Sequence, residues 1–478
     1  MTEKDDNEYR EQRLANMRQL EEMGYPSYGR SFDRTGRLAE IRANFEEGGH
    51  VAAAGRLMTV RDMGKSIFAD IRDGSDRFQV YAQNKQLGDD GFRAFKLLDI
   101  GDNIGVTGEL FTTRTGEQTV KIESWTLLAK ALLPLPEKWH GLKDVEARYR
   151  RRYLDLVTNP EVRELFNKRI EAVREIRNCL HNRGFQEVET PMMQAQAGGA
   201  AAKPFVTHFG ALGTDMYLRI APELYLKRLL VGGFDKVFEL NRNFRNEGLS
   251  RTHNPEFTML EIYQAYTDLS GMKEIVQEIV THVAGKVFGG LKIGEADDAI
   301  DVSLPWREVA YRELIEEKMG ADWFDLSLED ARARAEKAEL DLAPDWDMLM
   351  VTHEVYEKLV EKTLVQPTLV TRFPAELVPL AKACEDDPSV VDVFELVMAG
   401  QEVAPAYTEM NDPLEQRRRL TMQAGEDQEK IDEEFLTALE HGMPPAGGMG
   451  IGIDRLIAVL SGSETLRDVI LFPQLRPK

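Results

Sequence analysis

The chain has 478 residues, of which 42% are hydrophobic and 30% are charged, and its net charge is −22. This composition predicts a globular protein of two or three domains, and its apolar runs fall well short of the roughly 20 residues that span a bilayer. The two cysteines, Cys179 and Cys384, lie outside any metal-binding spacing, which argues against a disulfide or zinc framework. The polar N-terminus does not resemble a leader peptide, so we expect a cytoplasmic location and no membrane partner.

The negative charge is concentrated behind residue 150. Residues 1–150 hold 23 Lys and Arg against 25 Asp and Glu, whereas the remainder holds 37 against 57. Salt screens charges beyond about 10 Å. Residues 1–150, which are nearly neutral in total, can therefore still present local basic patches to phosphate even though the rest of the chain is acidic. The net charge therefore does not exclude a nucleic-acid partner.

The first segment, residues 1–49, is predicted to form a helical extension. Residues 5–23 have helical periodicity, with Leu14 and Leu20 on one face and the arginines, including Arg13, largely elsewhere. A GYPSYGR stretch then ends the helix.

The pattern changes to short strands over residues 50–130. Five strand-like runs are separated by turns such as RDGSD and TRTGEQ, with one helical stretch, GFRAFKLLDI, between them. This order predicts a small OB-type β-barrel, although a β-domain without a ligand remains an alternative. Residues 131–158 are first Pro-rich and then basic, which predicts a linker.

Residues 159–478 mix helices and strands in a second domain. A long helix, PEVRELFNKRIEAVREIRNCLHNRG, is predicted to end at Gly184. The following FQEVETPMM predicts a strand that is broken by Pro191.

A polar cluster, FRNEGLSRTHNPEFT, spans Phe244 to Thr258 between the apolar runs KVFEL and MLEIYQAY. Both flanking runs predict strands, so the cluster is expected at the turn of an antiparallel hairpin. The planar guanidinium of Arg245 suits bidentate contact with phosphate or carboxylate oxygens. A solvated hairpin tip would have the same composition, so the cluster needs support from elsewhere in the chain.

Two further stretches give that support. The polar cluster resembles motif 2 of the class II aminoacyl-tRNA synthetases, near residues 237–263. GMGIGIDRLIAVLSG resembles motif 3, near 447–462, and GFQEVETPMM resembles motif 1, near 184–193. Neither HIGH nor KMSKS occurs, which disfavours the Rossmann-type synthetases.

The resemblance narrows to the class II lysyl-tRNA synthetase family over most of residues 50–478. It rests on strings in the family's order: HGLKDVEARYRRRYLDL, GGAAAKPF, YLRIAPELYLKRLLVGGFDKVFELNRNFRNEG, HNPEFTMLEIYQAY, EFLTALEHGMPP and LRDVILFPQLRP. It implies an α+β fold in which the OB-type barrel precedes an antiparallel-sheet catalytic domain flanked by helices. The implied activity is ATP-dependent ligation of L-lysine to tRNA(Lys) through a lysyl-adenylate, with release of pyrophosphate and AMP, by a homodimer.

The resemblance also implies the nucleotide site. Phe257 is expected to stack on adenine opposite Arg455, and His253 to reach the terminal phosphates. The implied ATP-binding residues are Arg245, Glu247, His253, Asn254, Phe257 and Arg455, of which Arg245 and Arg455 are catalytic.

A lysine pocket must neutralise an ε-ammonium group, and burying that charge is tolerable only beside carboxylates. Glu223 and Glu409 match the family's carboxylate partners of this group, and Tyr263 matches a tyrosine that hydrogen-bonds there. Gly199 is expected to line the amino-acid site through its backbone, and Glu261 to contact the α-amino end. Each could otherwise be a surface acid or a core residue.

Two further acids predict a magnesium site. If Ala399 and Gly400 form a tight hairpin turn, Glu402 pairs with Val397 on the same face as Glu395. Mg²⁺ prefers such oxygen ligands together with nucleotide phosphates, and the matching family positions are metal ligands.

The barrel is implied to read the anticodon. Phe68 and Gln79 match family positions that stack on and hydrogen-bond the central base of a UUU-type anticodon, and Arg61 is a weaker candidate for contact.

One position departs from the family pattern. Pro405 stands in Ala404-Pro405-Ala406 where relatives usually carry asparagine, so a backbone donor and a side-chain amide are missing. Either a tolerated variant or altered specificity would explain it. Three other functions remain open: a paralogue that lysylates a protein acceptor, a catalytically idle RNA-binding protein, and a synthetase for aspartate or asparagine.

Overall fold

The computed structural model describes residues 3–136, 142, 144–196, 198–200, 202–294, 299–425 and 431–477. The chain forms two compact units, residues 1–143 and 144–478. Their boundary falls inside the predicted linker of residues 131–158, and the second half of that segment is helical and belongs to the second unit.

The first unit contains a closed β-barrel with strand order β1-β2-β3-β5-β4, which confirms the predicted OB-type barrel. The helix predicted at GFRAFKLLDI begins earlier, at Asn84, and ends at Phe95. The elements are α1 (Glu3–Glu22), α2 (Leu38–Ala43), β1 (His50–Asp62), β2 (Ser66–Arg72), β3 (Arg77–Gln83), α3 (Asn84–Phe95), β4 (Asn103–Thr112) and β5 (Gln118–Ala129).

Helix α1 packs on the barrel through Leu20, which belongs to the barrel's buried core. Arg13, which was predicted to lie largely off the apolar face of this helix, is buried. Its guanidinium donates to the backbone carbonyls of Ile100, Ala131 and Leu133. A buried arginine is tolerated here because one guanidinium carries five donors and can satisfy several carbonyls at once.

The second unit combines helices with a large sheet. Its helices are α4 (Val145–Arg150), α5 (Arg152–Thr158), α6 (Pro160–Asn182), α7 (Glu223–Val231), α8 (Leu269–Val283), α9 (Tyr311–Met319), α10 (Leu328–Lys337), α11 (Met348–Val355), α12 (Pro413–Ala424), α13 (Glu433–Glu440), α14 (Ile453–Ser461) and α15 (Leu466–Val469). Its strands are β6 (Gln186–Glu187), β7 (Met193–Gln194), β8 (Val206–Phe209), β9 (Thr214–Leu218), β10 (Lys236–Phe244), β11 (Glu256–Ala265), β12 (Lys292–Ile293), β13 (Ile300–Asp301), β14 (Arg307–Ala310), β15 (Thr368–Thr371), β16 (Val393–Met398), β17 (Gln401–Thr408) and β18 (Ala446–Gly452).

Within the described part of this unit, eight strands form one sheet in the order β14-β15-β16-β17-β18-β11-β10-β6. The pairing is antiparallel except at the two ends, where β14–β15 and β6–β10 are parallel. Apolar residues of one sheet face pack with helices α6, α8 and α14 into the main core, as Leu180, Ile279 and Leu456 illustrate. Because strand residues alternate between faces, the other face is left for polar side chains.

The long helix predicted to end at Gly184 is α6, which begins at Pro160 and ends at Asn182. The strand predicted at FQEVETPMM is two short strands in different sheets, β6 and β7, with Pro191 between them. Nowhere in the described ranges is a helix both long and apolar enough to cross a membrane.

Candidate active site

The polar face of the sheet is built around β18, whose alternate residues are glycines. Tyr263 pairs with Gly448 and Glu261 pairs with Gly450, so both β11 side chains flank a strand without side chains on that face. A Cβ atom on Gly448 would overlap Glu409 Oε1 and the Tyr263 ring. The glycines therefore form the floor of a trough in which neighbouring strands place their polar groups.

At one end of the trough lies a cavity of about 150 Å³. It is enclosed by the loop between β10 and β11 and by the start of α14. The hairpin predicted around this loop is confirmed, since β10 and β11 pair from Lys236–Gln264 to Phe244–Glu256. All six residues predicted to bind ATP line the cavity, namely Arg245, Glu247, His253, Asn254, Phe257 and Arg455.

Arg245 lies directly after β10 and stacks over the Phe257 ring, with its guanidinium carbon 5.2 Å from the ring centre. Its backbone N–H donates to the Pro255 carbonyl and closes the loop. Its Nε is buried and has no hydrogen-bond partner within the described residues. A stacked guanidinium with an unused donor is suited to bind an anion.

Arg455 lies in the first turn of α14. Its Nη1 donates to the backbone carbonyl of Glu402 at 2.8 Å, which ties α14 to β17. Burial and the nearby Arg455 charge lower the pKa of His253, so its imidazole is neutral at pH 7 and can donate to an anion through one nitrogen.

Asn254 lines the cavity but has its amide occupied by the backbone. Its Nδ2 donates to the Glu256 carbonyl and its Oδ1 accepts from the Gln474 N–H. The structure therefore gives this predicted ATP ligand a role in holding the loop, whereas Glu247 is exposed at the cavity rim.

The residues predicted to bind lysine lie together in the trough. Glu223, at the start of α7, and Glu409, just after β17, are 5% and 1% exposed. Tyr263 donates to Glu261 Oε2 at 2.7 Å. Gly199 has φ +85°, and a Cβ there would lie 3.2 Å from Glu223 Cβ, so its backbone closes over that glutamate.

The electrostatics of this cluster favour a cation. Burial, followed by the Glu223 charge, raises the pKa of Glu261 to about 8. Burial likewise raises the pKa of Glu409 to about 8, although the Lys227 ammonium opposes the shift. Surplus buried carboxylates are stabilised when a positive group enters their site.

Lys227 is a member of this cluster that the sequence did not assign to the site. Its side chain is fully buried, and its Nζ lies 2.7 Å from Glu223 Oε1 and 2.5 Å from Glu409 Oε2. The four-residue spacing of Glu223 and Lys227 is visible in APELYLK, but their contact with a residue of a distant strand is not.

The register predicted around the two remaining acids is confirmed, because Val397 pairs with Glu402 across a turn at Ala399 and Gly400, which have φ values of 54° and 68°. A β-bulge between the Leu396 and Val397 pairs, which was not predicted, adds one residue to β17. Glu395 therefore pairs with Pro405.

The two acids carry surplus negative charge. Burial, Glu402 and Glu361 raise the pKa of Glu395 well above its usual value, and Tyr356 donates to its Oε2 at 3.3 Å. Glu361 was missed from the sequence, where it reads as an ordinary helical acid. In the parts of the chain that the structure describes, no group of three or more His, Cys, Asp and Glu could hold a metal by itself.

Pro405, the residue that departs from the family pattern, lines the same cavity beside Glu402 and Val403. Its position next to the bulge is one of the few places where a strand tolerates proline.

On the barrel, the three residues predicted to bind the anticodon share one surface. Arg61 pairs with Phe68, and Phe68 pairs with Tyr81. The rings of Phe68 and Tyr81 lie 4.5 Å apart. Gln79, two residues from Tyr81, faces the same side, and its Oε1 accepts from Thr119 at 3.0 Å, which leaves its amide N–H groups to donate.

Comparison with known proteins matches both units. The family of tRNA synthetases class II (D, K and N) matches residues 144–476, and the family of OB-fold nucleic acid binding domains matches residues 51–128. The lysine–tRNA ligase of Carboxydothermus hydrogenoformans is 50% identical over 99% of both chains. Those of Pelotomaculum thermopropionicum and Moorella thermoacetica are each 49% identical, over 100% and 98% of this chain and 96% and 97% of their own.

These matches give no support to the alternative of a paralogue acting on a protein acceptor. The matched regions include both the barrel and the second unit. The three relatives are 49% or 50% identical to this chain over nearly its whole length, which shows the family. The chain therefore belongs to the lysine–tRNA ligases, within the class II tRNA synthetases for aspartate, lysine and asparagine.

Proposed function

We propose that this protein activates L-lysine with ATP and transfers it to tRNA(Lys). The observation that carries the proposal is the 50% identity to a lysine–tRNA ligase over 99% of both chains. The cavity and the acidic trough supply the two substrate sites that such a reaction needs.

In the first step, a carboxylate oxygen of lysine attacks the α-phosphorus of ATP, a P–O bond forms, and the bond to pyrophosphate breaks. Arg245 stabilises the negative charge that develops on the phosphoryl oxygens. Arg455 and Phe257 hold the adenine, and His253 contacts the terminal phosphates. No side-chain nucleophile is required, so catalysis rests on positioning and charge.

The acidic trough selects the amino acid. Glu223 and Glu409 receive the ε-ammonium group together with Tyr263, while Glu261 faces the α-amino group. An aspartate side chain would instead bring a further carboxylate beside these acids, which is unfavourable in a buried site.

Glu395 and Glu402 would hold Mg²⁺. Burial and the charges of Glu402 and Glu361 raise the pKa of Glu395, so this pair of carboxylates would be stabilised by a cation. Since the described residues hold no group of three side chains that could bind a metal without help, ATP phosphate oxygens would complete the coordination. When bound, the ion would neutralise phosphate charge.

In the second step, a hydroxyl of the terminal adenosine of tRNA attacks the lysyl carbonyl and AMP leaves. The barrel would select the tRNA: Phe68 stacks on the central anticodon base, and Gln79 and Arg61 contact its edge or backbone.

We further propose that the enzyme is a homodimer and acts in the cytoplasm. Ile170 on α6 is 65% exposed, as expected if this helix packs against a second copy. Light scattering should give twice the chain mass of 54.2 kDa; a monomeric mass would contradict the dimer.

Pyrophosphate exchange and tRNA charging test the function. Exchange should depend on lysine and not on aspartate or asparagine, and labelled lysine should reach tRNA(Lys) and not a protein acceptor such as elongation factor P. Folded enzyme without lysine-dependent exchange would refute the proposal.

A further inference from the structure

The lysine trough contains an ammonium group of its own. Lys227 lies on α7 with its side chain fully buried, and it forms ion pairs with both proposed ε-ammonium partners, at 2.7 Å to Glu223 Oε1 and 2.5 Å to Glu409 Oε2. It therefore bridges a helix and a distant strand at the point where the substrate ammonium would be recognised.

Lys227 is charged in this position. Burial alone would lower its pKa, but the Glu223 and Glu409 carboxylates outweigh burial and raise it. The titratable and charged groups that face Glu409 come from three elements. They are Glu223 and Lys227 from α7, Glu261 and Tyr263 from β11, and Tyr407 from β17.

The charges around Lys227 leave room for one more positive group. Two carboxylates and one internal ammonium leave one net negative charge, which a single substrate ammonium would neutralise. Without Lys227 the two buried carboxylates would face each other and would take up a proton, because close like charges cannot both ionise easily. Lysine would then compete with that proton.

Lys227 also divides the carboxylate oxygens. Its Nζ donates to Glu223 Oε1 and lies within ion-pair distance of Glu409 Oε2, and both Glu409 oxygens are buried without a hydrogen-bond partner in the described ranges. Glu223 Oε2 points towards Gly199, 3.8 Å from the position of a Cβ there. The closest Lys227 contact of each glutamate is thus made by one oxygen, which leaves the other oxygen for the proposed substrate ammonium.

We propose that Lys227 is a positioning residue for substrate selection: it is the fixed counter-ion that orients Glu223 and Glu409 and offsets one of their two charges, so that the trough accepts one further ammonium group. This inference rests on the proposed lysine site and adds a residue that acts on substrate only through those two glutamates.

The test is lysine-dependent pyrophosphate exchange with separate KM values for lysine and ATP. Glu409→Gln should raise the lysine KM because it leaves a trough with no net charge. Adding Lys227→Met to Glu409→Gln restores one net negative charge, so the double variant should bind lysine about 10-fold more tightly than Glu409→Gln. The KM for ATP should stay within about threefold in every variant.

A conservative variant gives a second readout. Lys227→Met alone should raise the lysine KM at pH 7. Lys227→Arg, which keeps the charge, should restore much of the lysine affinity.

A double variant that binds lysine no better than Glu409→Gln, or that fails to fold, would overturn the inference, and this comparison holds even if Lys227→Met alone is unstable. A wild-type enzyme without lysine-dependent exchange would refute the proposed function as well. A normal lysine KM in Glu409→Gln would refute the assignment of the lysine site and, with it, the role of Lys227.

Discussion

Glu261 illustrates how a functional residue opposes stability. Burial and the Glu223 charge raise its pKa to about 8 in the folded protein, whereas the ordinary value is 4.5. The folded state therefore binds the proton more tightly than the unfolded chain. The Glu261 contribution to the free energy of unfolding then decreases as pH rises from about 4.5 to about 8.

We predict that Glu261→Gln stabilises the protein at pH 8 by about 1–3 kcal/mol and has little effect near pH 4.5, because glutamine removes a carboxyl group that must ionise while buried. Thermal unfolding at the two pH values measures this. Glu274→Gln, at an exposed position on α8, is the control. Destabilisation by Glu261→Gln at pH 8 would contradict the argument.

Arg242 on β10 is a control for Arg245, which lies directly after the same strand. Arg245 lines the cavity proposed to bind ATP, whereas Arg242 is exposed and lies 3.9 Å from Glu256 in a surface ion pair of small energy. Arg245→Ala should lower pyrophosphate exchange by about 100-fold or more, since it removes a charge from the transition state. Arg242→Ala should change exchange less than about twofold. Equal losses would show that Arg245 acts through the fold.

The contacts of single residues were predictable where the contacting residues are close in the sequence. The spacing around Ala399 and Gly400 predicted the pairing of Glu402 with Val397, because a tight turn fixes the register of a hairpin. Lys227 and Arg13 were not predictable as buried charges, since their partners come from elements far away in the chain.

At the scale of elements, β18 determines the shape of the trough because its glycines place no side chains on the polar face of the sheet. A side chain on Gly448 would overlap Glu409 Oε1 and the Tyr263 ring, which are both proposed to face lysine. The strand was recognised from its sequence as motif 3, but the reason for this glycine appears only when β11 and β17 are placed beside it.

We predict that Gly448→Ala raises the KM for lysine about 10-fold or more, because Glu409 and Tyr263 must move, and that it changes the KM for ATP less than about threefold. Steady-state pyrophosphate exchange measures both constants. Gly210→Ala, where a Cβ meets no atom within 4 Å, is the control. An unchanged lysine KM in folded Gly448→Ala would contradict this assignment.

Other features of the elements escaped prediction for a physical reason. The bulge beyond Leu396 adds one residue to β17 without any distinctive sequence signal, and it changes the partner of Glu395. The strand expected at FQEVETPMM is divided between two sheets, since its pairing depends on β10 and β9 and not on its own pattern.

At the scale of the whole molecule, the residues proposed for tRNA selection and those proposed for chemistry lie in different units. Phe68 lies on the barrel, and the residues proposed for ATP and lysine all lie in the second unit. The order of the domains was predictable because long strings resemble one family, whereas the boundary at residues 143–144 was not, since helical residues follow it directly.

We predict that Phe68→Ala raises the KM for tRNA by about 5-fold to 150-fold, because stacking on one base contributes about 1–3 kcal/mol. Pyrophosphate exchange in the absence of tRNA should be unchanged. Tyr9→Ala, at an exposed aromatic on α1, is the control in tRNA charging assays. A parallel loss of exchange would show that Phe68 supports the fold of the enzyme and not only tRNA recognition.

The most direct test compares wild-type enzyme with Glu223→Gln and Glu409→Gln in lysine-dependent pyrophosphate exchange. If two buried carboxylates recognise the ε-ammonium group, each variant should raise the lysine KM by about 100-fold or more and leave the KM for ATP within about threefold. Variants that retain the wild-type lysine KM, or that lose affinity for ATP to the same degree, would contradict the account.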